Sequence, residues 1–137
     1  MKMIHSSKIH PEVKTLLSYA TSEKKVEKEY SLYIACPERV LYGYTFAQDT
    51  IGCIGIVKRA ANQCEIIHIA VSPAYHGKGI GREMIRYVEE HHAFSSIYAE
   101  TDQDAVNFYK NIGFHITSLG EKYPGVERFA CLLNCTT

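Results

Sequence analysis

Apolar side chains fall at helical spacing near the start of the chain. In PEVKTLLSYA, Val13, Leu16, Leu17 and Ala20 share one face, and Pro11 is placed to open the helix. The charged stretch SEKKVEKEYSLY predicts a second, mostly exposed helix. From Val40 the texture changes to β-rich runs. VLYGYTF, IGCIGIVKR and CEIIHIAV, separated by QD and AANQ, predict an antiparallel meander. Helical spacing returns at Ile80, Met84, Ile85 and Val88. SSIYAE then predicts a short strand, and DQDAVNFYKNIGF a helix with an acidic start and Gly113 as its stop. FHITSL and RFACLL are two closing strands, and MIHS allows one more at the start. The order α α β β β α β α β β predicts an α+β fold, an α/β sandwich around a mixed sheet and not a doubly wound one.

The chain has 137 residues, which predicts a single domain spanning 1–137. Apolar residues make up 46% and charged residues 22%, as in a soluble globular protein. Fifteen basic residues balance fifteen acidic ones, so no net charge draws the chain to nucleic acid or an anionic membrane. Any anion site must be local. No apolar run approaches the roughly 20 residues of a spanning helix, and the N-terminus lacks the apolar core of a secretory signal. The five cysteines are scattered without a Cys-x-x-Cys pair, which predicts free thiols, mostly buried, in a reducing, cytoplasmic setting. His91 and His92 are adjacent on a helix and so point about 100° apart, which is not a chelating arrangement, and no metal is expected.

The chemistry concentrates in VSPAYHGKGIGR, residues 71–82. Gly77, Gly79 and Gly81 alternate between a strand and a helix, with Lys78 and Arg82 among them. A P-loop requires its lysine after the last glycine and a hydroxyl next, and here Lys78 precedes two glycines. A dinucleotide fingerprint from Gly77 would need a third glycine at position 82, which is Arg82. The principle behind both motifs still applies. Bare N–H groups ahead of a helix, backed by the positive end of its dipole, favour a phosphate or diphosphate. A tight strand-to-helix turn without a ligand is the plainer alternative.

These residues resemble the acyl-coenzyme A signature of the GNAT superfamily of N-acetyltransferases, Gln/Arg-x-x-Gly-x-Gly/Ala after a strand. His76 stands at the Gln/Arg position, and Gly79, Ile80 and Gly81 complete the pattern. DAVNFYKNIGF resembles the second signature, a helix ending Phe-Tyr-x-x-x-Gly-Phe, here Phe108 to Phe114. In element order the likeness runs from about Val40 to Leu133. It departs at His76, which is shorter than Gln or Arg, and at Asp102, where the family often has an Asn. An ionised Asp accepts hydrogen bonds and donates none.

The resemblance implies a mostly antiparallel sheet in which the strand ending at Val71 splays from its parallel neighbour SSIYAE. Backbone groups of Ile69, Ala70 and Val71 would then pair with the pantetheine arm of acetyl-CoA, as an added strand would. The amides from Gly77 through Gly81 would hold the diphosphate, with Asp102 and Phe108 close to the cofactor. Tyr109 matches the family's tyrosine acid and would protonate the leaving thiolate. Glu65 matches the position of a base acting through water, and Glu100 is a second candidate. Strand alternation places Glu65 on the face of Ile67, Ile69 and Val71, with His68 packed on the opposite face. The amide of Val71 is the expected donor to a developing oxyanion. The implied activity is acetyl transfer to a primary amine, with a non-catalytic acyl-CoA-binding regulatory module as the alternative. Acceptor contacts are expected from residues 18–36 and 120–127, and Arg128 invites a carboxylate-bearing acceptor, with a plain surface hairpin as the other reading. The sequence leaves a small-molecule or peptide amine open, as it does a monomer or a homodimer.

Overall fold

The computed structural model describes residues 1–135. Its elements are β1 (Lys2–Ile4), α1 (Pro11–Ala20), α2 (Val26–Ala35), β2 (Arg39–Phe46), β3 (Asp49–Arg59), β4 (Gln63–Val71), α3 (Ile80–His92), β5 (Ser96–Asp102), α4 (Val106–Ile112), β6 (His115–Tyr123) and β7 (Val126–Asn134). Pro11 opens α1 as expected, with the His10 ring accepting the Glu12 amide. The charged stretch divides, because a short 3-10 turn over Glu23–Lys25 precedes α2. That helix is less exposed than its composition implied, burying Val26, Tyr30 and Tyr33 on one face.

Among the described residues, seven strands form one sheet in the order β1-β2-β3-β4-β5-β7-β6. Strands β4 and β5 run parallel, and the other pairings among the described residues are antiparallel. The fold is therefore the expected mixed, mostly antiparallel sheet flanked by helices. Helices α1 and α2 pack on one face over β2–β4, around Leu16, Leu17, Val26 and Leu41. Helices α3 and α4 cover the other, around Met84, Ile85, Val88, Ile97 and Tyr109. The interior strand β3 is buried from Ile51 to Val57, which explains its nearly continuous apolar run. The last hairpin is longer than its apolar residues indicated. Polar residues Glu121 to Tyr123 pair with Val126 and Glu127, leaving a turn at Pro124–Gly125, because main-chain pairing at an exposed edge needs no apolar side chain.

Two irregularities create the site. Pairing of β4 with β5 ends at Ile66 and Ala99, yet β4 continues to Val71 and β5 to Asp102. The strands fork there. Just beyond, Gly55 pairs with His68 and Ile56 with Ile66, so Ile67 is an extra, bulged residue on β4. The bulge breaks the alternation assumed from the sequence. Cys64 and Ile66 contribute to the α3–α4 core, as do Ile69 and Val71, whereas Ile67 packs toward α1 and α2. Glu65 therefore shares a face with Ile67 and not with Ile69 or Val71.

Candidate active site

The fork opens into a cleft of about 810 Å³. Residues 66–71 of β4 form one wall, and Glu100, Thr101, Asp102 and Tyr109 the other. The glycine loop closes one end, and Tyr19, Ala20 and Arg128 border the cleft as well. The Ser72 amide donates to the Ile51 carbonyl at 2.7 Å, so Ser72 turns its backbone to β3. Backbone direction alternates along a strand, so Ala70 also faces β3, where it pairs with Cys53. The main-chain groups of Ile69 and Val71 are left pointing into the fork. His76 Nε2–H donates to the Val71 carbonyl at 2.8 Å, which gives its side chain a loop-closing task.

The glycines have different reasons to be there. Gly77 (φ 75°) and Gly79 (φ 77°) are left-handed, and an added Cβ at either would meet nothing within 4 Å. They shape the backbone and keep the approach open. Gly79 caps α3, whose first amides lack helical partners and carry the positive end of the dipole. Gly81 has ordinary helical backbone, but a Cβ there would lie 2.7 and 2.8 Å from two Phe108 ring carbons. It is small to admit Phe108. Ile80 is buried beneath the turn, and Lys78 is exposed and outside the cleft wall. Arg82 Nη2 donates to the Asn111 carbonyl at 2.8 Å, tying the start of α3 to the end of α4.

Tyr109 is 5% exposed and flanked edge-on by Phe108 and Phe114, with ring centroids 5.1 and 5.2 Å away. Burial raises its phenol above the ordinary range, with a smaller push from Cys131. Asp102 Oδ1 accepts the amides of Asp104 (3.1 Å) and Ala105 (3.0 Å), so the carboxylate orders the turn into α4. Glu65 is outside the cleft wall. It sits at the root of the fork, opposite Tyr98, with Oε1 2.6 Å from Arg59 Nη2. Glu100 is on the wall, and one oxygen meets Lys122 Nζ at 3.0 Å and Arg128 Nε at 3.5 Å. The Lys122 hydrogen bond leads the effects that hold its carboxyl below the usual range.

Sequence reasoning missed a network beside the cleft. His68 is 6% exposed, with Nδ1 2.5 Å from the Tyr33 hydroxyl and Nε2 3.3 Å from Glu29 Oε1. Glu29 in turn meets Arg39 Nη1 at 3.5 Å. The carboxylate can only accept, so Nε2 carries the proton and Nδ1 accepts from the phenol. The Tyr33 hydroxyl occupies the space a side chain at Gly55 would need. The one signal in the sequence was a glycine inside an otherwise apolar strand, which marks close approach. The five cysteines are free, and Cys53, Cys64 and Cys131 are buried. Among the described residues no helix is long and apolar enough to cross a membrane.

A strand fork facing a glycine-capped helix is the architecture that the family resemblance implied, and comparison with known proteins supports it. Residues 10–114 match the model of the acetyltransferase (GNAT) family. Over 100 residues the chain is 30% identical to the N-alpha-acetyltransferase RimI of Mycobacterium tuberculosis, covering 69% of this chain and 63% of that protein. The matched stretches span less than two thirds of the curated relatives' own length. In fold, it resembles an aminoglycoside 6'-N-acetyltransferase complexed with coenzyme A (TM-score 0.82, 16% identity, 100% of this chain and 98% of that one). A GNAT acetyltransferase from Elizabethkingia anophelis with acetyl-CoA bound is similar (TM-score 0.75, 18% identity, 97% and 95%). The chain belongs to the GNAT acetyltransferase family.

Proposed function

We propose that the protein transfers an acetyl group from acetyl-CoA to a primary amine. The observation that carries this reading is the fork: β4 turns the main-chain groups of Ile69 and Val71 into a gap that leads to the left-handed glycine turn capping α3. The residues fit the donor. An extended arm can add to the edge of β4 at Ile69 and the Val71 amide. A diphosphate can meet amides between Gly77 and Gly81, where an added Cβ on Gly77 or Gly79 would find open space. Bound there, acetyl-CoA supplies the activated acyl group. Every other task falls to the chain.

Tyr109 keeps its proton because burial disfavours the phenolate, and it can give that proton to the departing sulfur. The Val71 amide is the donor aimed at the developing oxyanion. An incoming ammonium must first lose a proton. Glu100 is poorly suited to take it, because Lys122 and Arg128 favour its ionised, unprotonated form. Glu65 takes it through water in this scheme. Arg59 is 55% exposed, so solvent weakens that pair and lets the carboxylate exchange partners. Thiol release from acetyl-CoA, measured with and without a panel of primary amines, is the test. Amine-dependent release supports transfer, and tight binding with no release for any amine would leave only the binding module.

A further inference from the structure

The sheet face opposite α3 and α4 carries Tyr98, at the root of the fork, and Glu100 and Asp102, beyond it, on β5. Their partners on β7 are Leu132, Ala130 and Arg128. Ile97, Ala99 and Cys131 point the other way, into the core. Helix α1 packs on β3 and β4, and its Tyr19 and Ala20 border the cleft. An acceptor entering between α1 and the β6–β7 hairpin therefore meets Glu100 and Arg128 first, with Lys122 reaching in from β6.

Two cations, Lys122 and Arg128, and two carboxylates, Glu100 and Asp102, meet there, and they are unevenly paired. Lys122 and Arg128 both lean on one oxygen of Glu100. Asp102, the cross-strand partner of Arg128, spends Oδ1 on two amides, and among the described residues it forms no ion pair with Arg128. Arg128 touches Glu100 through Nε at 3.5 Å, which leaves the Nη1 and Nη2 edge without a described partner. Its side chain is 29% exposed, half-sheltered on the cleft wall. An open guanidinium edge matches a carboxylate in two parallel hydrogen bonds.

We infer that the acceptor is a small amine bearing a carboxylate, gripped by Arg128 with Lys122 beside it. The inference rests on the acetyl-transfer reading and specifies its second substrate. A polycationic amine has no carboxylate to place on the open edge of Arg128. A zwitterion gains an ion pair with that open guanidinium edge.

The test is a ladder of ω-amino acids, from glycine to 6-aminohexanoate, each assayed by thiol release beside its own carboxamide, with spermidine as the polycation. The free acid is expected to exceed its amide about tenfold or more in kcat/KM at the favoured length, the size of a charge-assisted hydrogen bond. Added salt shrinks that ratio. Arg128→Gln brings it toward one, Arg128→Lys recovers part of it, and Lys122→Gln lowers it by a smaller factor. Amides or spermidine equal to the acids, or a ratio unmoved by Arg128→Gln, overturns the inference. Acetyl-CoA binding with no member of the panel acetylated also overturns it while leaving the donor site intact. Failure to bind acetyl-CoA removes both readings.

Discussion

Gly81→Ala separates two explanations for a glycine in the cradle. An added methyl would stand 2.7 and 2.8 Å from Phe108 Cε1 and Cζ. Carbon pairs settle near 3.5–4.0 Å, so the ring would have to retreat by about 0.8 Å or more. Phe108 sits edge-on against Tyr109 at 5.1 Å, so the retreat presses on the proposed acid. Overpacking of this kind costs about 1–3 kcal/mol. Alanine in ordinary helical backbone returns about 0.5–1 kcal/mol relative to glycine. The net expectation is a loss of about 1 kcal/mol, or about 4 °C in Tm for a domain of this size. The assay is a double-mutant cycle with Phe108→Leu, read by urea unfolding and by acetyl-CoA titration. Shortening the ring should relieve the clash, so the two changes should couple by about 1 kcal/mol. Additive effects, or a stabilised Gly81→Ala, would refute the claim that this glycine exists to seat Phe108.

Tyr109→Phe should cost about a hundredfold in kcat, the lower end for a positioned general acid, with acetyl-CoA affinity nearly unchanged. Because burial raises the phenol, wild-type kcat should show no fall from its ionisation as pH passes about 10, and a falling limb there that disappears in Tyr109→Phe would contradict the assignment. Gly55→Ala should lose about 3 kcal/mol or more of stability, since its methyl would claim the place of the Tyr33 hydroxyl, and Tyr33→Phe should restore part of it in urea melts. Burial lowers the His68 pKa, with Glu29 opposing and Arg39 adding to the shift, while the neutral Tyr33 phenol faces the ring. The unfolded chain then binds the extra proton first, so stability should decline as pH falls below about 6.5. His92 shifts the same way, so His68→Gln should shallow that decline without abolishing it, and an unaltered slope would contradict it.

Element types were legible because the periods were clean. The stripe at Ile80, Met84, Ile85 and Val88 is the buried face of α3, and the three β-rich runs are β2, β3 and β4. The glycine turn was legible because left-handed backbone restricts the choice of residue, and Gly77 and Gly79 meet that restriction. Facing was less so. One extra residue at Ile67 reverses the side on which Glu65 stands relative to Val71, and nothing in CEIIHIAV marks a bulge. Partners distant in sequence were beyond reach too. Gly81 with Phe108, Gly55 with Tyr33, and Glu100 with Lys122 and Arg128 are tertiary contacts that spacing does not encode. Asp102 illustrates the point from the other side. A departure from the family pattern at the sequence level, it proves to order the turn before α4 with two amide bonds.

The diphosphate cradle is the claim on which donor binding, Tyr109 and the acceptor wall all depend. Crystals grown with coenzyme A test it directly. The expected result is density for the phosphates within hydrogen-bond reach of the main-chain amides between Gly77 and Gly81, with the pantetheine arm along Ile69 and Val71. Phosphates seated elsewhere, or crystals that stay empty at millimolar coenzyme A, would contradict it.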